Sequence, residues 1–277
     1  MLNTNISKQS TPMAKIDADV ARGERKARFV LEQEGFSHLA DVNIEDFAYL
    51  RGALVRKFPL KGCEGRISRR GNRAIISVST SIDYAPKRRF VIAHELGHLE
   101  LHDQANQAEL AFCDDTVINE LYDQGTEKEA NAFATELLMP SEVWAKLVDV
   151  KTPSLDVAFS LAQQFKVSYT AAAIRFAMLA PERCCVVFAQ NGKIKWAASG
   201  SDFGHWIERG SSLHPATLAS DYFLKGHVPP RQAEEVAAKA WLSSPRARTG
   251  ELWEHCRVLS SIHATLSLLW IPDGAEF

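Results

Sequence analysis

His94 and His98 stand four residues apart in KRRFVIAHELGHLELH, with Glu95 directly after the first. Phe90, Ile92, Ala93 and Leu96 give this stretch an apolar stripe, and Pro86 precedes it where a first helical turn tolerates proline. On a helix, a spacing of four projects both imidazoles from one face, so two rings can reach one ion. Zinc takes nitrogen and carboxylate donors in tetrahedral geometry, and a hydrolytic site uses three protein ligands with water in the fourth position. The metal lowers the pKa of that water, and Glu95 is the base that takes its proton and passes it to the leaving amine. Amide hydrolysis needs both aids, because the carbonyl is a poor electrophile and the amine a poor leaving group. Manganese or iron also suits a site of two nitrogens and one carboxylate. An amphipathic helix with two partly exposed histidines and a surface glutamate gives the same pattern, so the second helix has to decide.

The third ligand must come from elsewhere, and EKEANAFATELLMP at 127–140 offers Glu127 and Glu129 on a helix with an apolar face. His102 extends the histidine row by one turn. Ligands spread over eight residues of straight helix span about 12 Å, too far for one ion, so His102 is placed at the cleft rim or in packing. Together with Tyr84 and Tyr169 it is a candidate donor to the substrate or the transition-state oxyanion, and no spacing rule chooses among the three.

HELGHLELH followed by EKEANAFATELLMP resembles the ImmA/IrrE family of metallo-endopeptidases, whose second motif reads approximately E-x-x-A-N-x-F-A-x-x-L-L-x-P. The resemblance implies a zinc metallo-endopeptidase of gluzincin type, with the glutamate ligand on Glu127 and Glu129 as the alternative. Ala130, Asn131, Phe133, Ala134, Leu137, Leu138 and Pro140 then align with the motif. Asn131, four residues beyond Glu127, shares its face and can hydrogen-bond a metal ligand from behind. The resemblance further implies a partner, a helix-turn-helix repressor of the XRE type, cleaved at one site to release a stress or mobile-element response. The whole chain is most similar to the IrrE branch, in which a helix-turn-helix-like segment and a GAF-like sensor domain follow the peptidase. Residues 183–277 match that branch in position and length alone.

The elements that must position these residues are legible in outline. A polar stretch, residues 1–16, reads as a disordered tail without signal-peptide character. Asp17 to Glu34 reads as an amphipathic helix stopped at Gly35, and Ile44 to Tyr49 as a short one. LVRKFPL, GRISRRG and RAIISVSTS then predict a small antiparallel sheet. Thr126 to Leu138 reads as a helix capped by Thr126, with Glu129 as capping-box partner and Pro140 ending it. Ser154 to Leu179 reads as helix, turn at Lys166 and Val167, and a second helix capped by Ser168. Beyond Pro181, CCVVFAQ and KIKWAAS flank Asn191-Gly192, a strong hairpin signal. A helix near Arg231 to Leu242 and strands WEHCRVL and ATLSLLWIP complete the chain. The expected class is α+β. A mainly helical zincin-like peptidase domain (17–150) precedes a helix-turn-helix-like segment (151–181) and a C-terminal α+β, GAF-like domain (182–277).

Composition narrows the function classes. Lysine and arginine total 32 against 34 acidic residues, so no overall field holds the chain on nucleic acid or an anionic membrane. No apolar run approaches the roughly 18 residues of a membrane span. Five cysteines without a C-x-x-C pair suggest neither a disulfide framework nor a zinc knuckle, and a cytoplasmic location fits. Cys63, in KGCEG, reads as a turn or core residue. The chief rival is a DNA-binding regulator reading with residues 154–179, aided by Arg66, Arg69, Arg70, Arg73, Lys87, Arg88 and Arg89. Its recognition helix would be YTAAAIRFAML, where Arg175 alone is a strong contact, so direct DNA binding is not expected. A third reading is a silent partner-binding component of toxin-antitoxin type with a structural metal, and the intact His94, Glu95 and His98 argue against it.

Overall fold

The computed structural model describes residues 18–70, 73–102, 125–150, 152–244, 247 and 249–275. The expected tail and Cys113 lie outside them. Helices α1 (Ala18–Gln33) and α2 (Ile44–Leu50) lead into a three-stranded sheet of β1 (Ala53–Phe58), β2 (Gly65–Arg70) and β3 (Arg73–Ser79). Asn43 caps α2 by accepting from the Glu45 amide. The sheet is mixed rather than antiparallel as expected. β3 lies between the other two, antiparallel to β2 but parallel to β1, from Ala53 opposite Ala74 to Phe58 opposite Ser79. Hydrophobic pattern explains the order: β3 buries Ile76 and Val78 fully, whereas β1 and β2 carry charged residues along their length and sit at the edges.

Five helices follow: α3 (Ala85–Leu101), α4 (Gly125–Leu138), α5 (Ser141–Val148), α6 (Leu155–Phe165) and α7 (Tyr169–Leu179). Ser154 and Ser168 cap α6 and α7, and Lys166 turns the chain between them in the left-handed region at φ 55°. Thr126 does not cap α4, which already includes it, and Glu129 turns sideways to Arg22 and His102 instead of back to the helix start. A charge-assisted pair outweighs a capping bond. Trp144, Phe47, Phe133, Phe165 and Phe176 are fully buried between these elements, each contributing about 1.5–3 kcal/mol of burial.

A five-stranded antiparallel sheet of β4 (Arg183–Gln190), β5 (Lys193–Ser199), β6 (Glu234–Ala237), β7 (Glu251–Leu259) and β8 (Ala264–Ile271) closes the chain, in order β5-β4-β8-β7-β6. Asn191 and Gly192 form the β4–β5 turn with φ of 53° and 73°, as a type I′ hairpin requires. Alternation splits the sheet's two faces. Cys184, Val186, Leu266 and Leu268 join the helical core, while Cys185, Val187, Leu269 and Ile271 pack with Phe203 and Trp241 on the other side. The helix expected at 231–242 is instead β6 and a 3₁₀ turn, because Glu234 to Ala237 pair along β7 and sheet contacts override local preference. One helix on this sheet was not foreseen, α8 (Leu218–Lys225), capped by Thr217 and ended by Gly226 at φ 67°.

Candidate metal site

Helix α3 is buried from Val91 to His98, between the small sheet and α4, so both faces of its histidine-bearing turn meet protein. Gly97, inside the motif, lets α4 approach. A Cβ there would lie 3.0 Å from the Ala130 Cα and 3.1 Å from its carbonyl oxygen, so any side chain would push the two helices apart by a few tenths of an ångström. The close contact brings Glu127, on the first turn of α4, over the two histidines. Its carboxylate oxygens lie 3.2 Å from His94 Nε2 and 3.3 Å from His98 Nε2, and the two Nε2 atoms are 3.0 Å apart. Among the described residues these three form the one group of His, Cys, Asp and Glu side chains with metal-ligand convergence.

The other ring nitrogens are already engaged. His94 Nδ1 lies 3.0 Å from the Asn131 side-chain oxygen, and His98 Nδ1 lies 3.0 Å from His102 Nδ1. An imidazole that donates through Nδ1 presents a lone pair at Nε2. With both rings donating through Nδ1, three acceptors would face one another at 3.0–3.3 Å and repel unless a proton or a cation lay between them. Ligands about 2.0–2.1 Å from a tetrahedral zinc ion are about 3.3 Å apart, so spacing and donor set both fit a zinc-sized cation.

Glu95 stands beside this triad and does not join it. It is 4% exposed, and a Cβ on Gly65 of β2 would lie 2.5 Å from its Oε1. Burial pushes its carboxyl up to about 7, with the nearby Glu127 adding to the rise, while His94 and the Ile67 amide oppose it. Burial would also raise Glu127, but protons held between it and the two imidazoles keep its carboxyl well below the usual carboxylate range. His98 is shifted down, mainly by burial. One carboxyl is thus poised to exchange protons near neutrality while its neighbour stays ionised, the division that a base and a ligand require.

Glu129, the alternative ligand, points away from the triad: both its oxygens lie 2.7–2.8 Å from Arg22 Nη1, and Oε2 is 2.9 Å from His102 Nε2. His102 is therefore behind His98 rather than at a cleft rim. Tyr84 and Tyr169 lie together along an open groove with Arg88 and Lys166, and none of the three triad residues lines it. Tyr169 stacks on Phe159 at 4.3 Å between ring centres. Cys63 is buried, as expected for a core residue. Sequence reasoning missed Arg22, Gly65 and Gly97. Only Gly97 left a trace, as a glycine in the middle of a helical pattern.

Residues 51–177 match the family model Peptidase_M78, described as the IrrE N-terminal-like domain. The resemblance seen in the two motifs thus extends across the small sheet and the helices to α7. A Mycobacterium tuberculosis transcriptional regulator of known structure shares the fold, with a TM-score of 0.54 at 15% identity over 90% of this chain and 76% of that one. No curated protein is matched by the sequence.

Proposed function

We propose that the chain is a zinc-dependent endopeptidase that cuts a helix-turn-helix repressor of the XRE type and thereby releases a stress or mobile-element response. The observation that carries this reading is the meeting of three acceptors, His94 Nε2, His98 Nε2 and the Glu127 carboxylate, beside a buried Glu95 that titrates near neutrality. When bound, a zinc ion supplies Lewis acidity at the scissile carbonyl and lowers the pKa of the attacking water, and manganese or iron can serve the same donors. Beside such an ion, Glu95 would be the group to accept a proton from an attacking water and return it to the leaving amine. Asn131 holds the His94 ring so that Nε2 faces the centre. Tyr84, Tyr169 and His102 remain candidate substrate contacts, and the placement of His102 behind His98 favours a supporting role for it.

Residues 17–150 form the peptidase unit in this reading, with 151–181 as the helix-turn-helix-like segment and 182–277 as a GAF-like sensor or interaction domain. The antiparallel five-stranded sheet with α8 packed beside it is compatible with that last assignment. No helix among the described residues is long and apolar enough to cross a membrane, and the described cysteines are buried; a cytoplasmic location belongs to this reading. The regulator reading loses its main contact, since Arg175 is 4% exposed and spent on Glu136 and the Met139 carbonyl. Its basic cluster is likewise committed in part: Lys87 pairs with Glu64, Arg88 with Glu45, and Arg89 donates to the Val42 and Leu39 carbonyls.

The test is to incubate the purified chain and zinc with the repressor encoded nearby and to map fragments by mass spectrometry. A single cut that disappears in Glu95→Gln supports the proposal. No cut by the zinc-loaded protein, with the repressor retained as a stoichiometric complex, assigns the chain to the partner-binding class instead.

A further inference from the structure

The geometry points to His102 and Glu129 as positioning residues for His98, anchored from α1 by Arg22. The inference rests on the metal-site reading for its purpose, but its geometry stands without a metal. Arg22 Nη1 lies within hydrogen-bond distance of both Glu129 oxygens, and its Nη2 donates to the Leu101 carbonyl at 3.1 Å. Helices α1 and α4 cross closely at this point: a Cβ on Gly23 would lie 2.2 Å from the Glu129 backbone carbonyl oxygen. Glu129 and His102 are largely buried, with side chains 7% and 8% exposed.

The direction of each hydrogen bond follows from the anchor. A guanidinium only donates, and an ionised carboxylate only accepts. His102 Nε2, 2.9 Å from Glu129 Oε2, must therefore carry a proton. A neutral imidazole has one N–H, so His102 Nδ1 is an acceptor, and the contact at 3.0 Å makes His98 Nδ1 the donor. His98 Nε2 is then left with its lone pair toward His94 and Glu127, as a metal ligand needs. Asn131 fixes His94 with one bond; His98, farther along α3, is fixed by a relay of three side chains. The same contacts occupy both oxygens of Glu129 and take it out of the competition for the metal.

Imidazole ¹H–¹⁵N correlation spectra of the full-length, zinc-stripped chain at about pH 8, where free imidazole is neutral, read the tautomers directly. Zinc affinity is read separately by competition with a chromophoric chelator. Wild type is expected to show His98 protonated at Nδ1 and His102 at Nε2. His102→Leu and Glu129→Leu are expected to mix the His98 tautomers and to weaken zinc binding roughly 10–100-fold, whereas Glu129→Gln, which keeps an acceptor, retains both properties. Arg22→Met, at a half-exposed side chain, is expected to fold and to give a partial loss. An unchanged tautomer and zinc affinity in His102→Leu, or in Arg22→Met should the former not fold, overturns the relay. So does a Glu129→Gln variant as impaired as Glu129→Leu. A wild type with the expected tautomers but no zinc binding upholds the relay and overturns the metallopeptidase reading.

Discussion

Replacing Glu95 by glutamine is expected to make the metal-free protein more stable at neutral pH, although it removes the proposed catalytic base. The carboxyl is pushed up to about 7 in the fold from an ordinary 4.5, because it is buried and Glu127 stands close. At about 1.4 kcal/mol per pH unit, the ionised form is penalised by about 3 kcal/mol in the folded state. The sign follows from proton counting. A raised value means that the folded state binds more protons than the unfolded state between pH 4.5 and about 7, so stability falls as pH rises through that window and levels off above it. Below 4.5 both states are protonated and no penalty exists. Glutamine has no such proton and still accepts from the Ile67 amide. The variant's advantage therefore grows from near zero at acidic pH to about 3 kcal/mol above neutrality. Urea denaturation of zinc-stripped wild type and Glu95→Gln across a pH series measures it. An advantage independent of pH, or a wild type more stable than the variant at pH 8, would refute the claim that a buried carboxylate is held there at a cost.

Zinc at a hundredfold excess over its dissociation constant is expected to stabilise wild type and Glu95→Gln by about 2.7 kcal/mol. Thermal unfolding with and without zinc checks this, and the shift is expected to vanish in His94→Ala and Glu127→Ala. Gly65→Ala drives a methyl to within 2.5 Å of Glu95 Oε1 and 2.6 Å of Val91 Cγ1, so a loss of about 1–3 kcal/mol is expected, together with loss of cleavage while zinc still binds. A chelator-competition titration beside a cleavage assay separates the two effects. Arg175→Met leaves the fully buried Glu136 short of its main partner and is expected to cost about 3–5 kcal/mol in chemical denaturation, without changing the salt dependence of DNA retention.

The chemistry-bearing helix was legible because its information is local. A spacing of four puts His94 and His98 on one face whatever surrounds the helix, and EKEANAFATELLMP carries its own apolar stripe. The α6–α7 pair and the hairpin at Asn191-Gly192 were legible for the same reason, since caps and turn residues act over two or three positions. Elements whose partners are distant were not. Nothing between residues 53 and 79 states that β3 inserts between β1 and β2, and Glu234 to Ala237 becomes a strand only because β7 offers an edge.

Within the site the division is the same. Sequence by itself determined the two imidazoles, the proposed base and a pair of candidate carboxylates two residues apart. Tertiary structure decided between those carboxylates: Gly97 lets α4 cross α3 so that Glu127 faces the rings, while Arg22, 107 residues away from Glu129, draws the other carboxylate to His102. Helical spacing fixes which side chains share a face of one helix, but which face meets which neighbour depends on close packing between helices that the chain brings together only on folding.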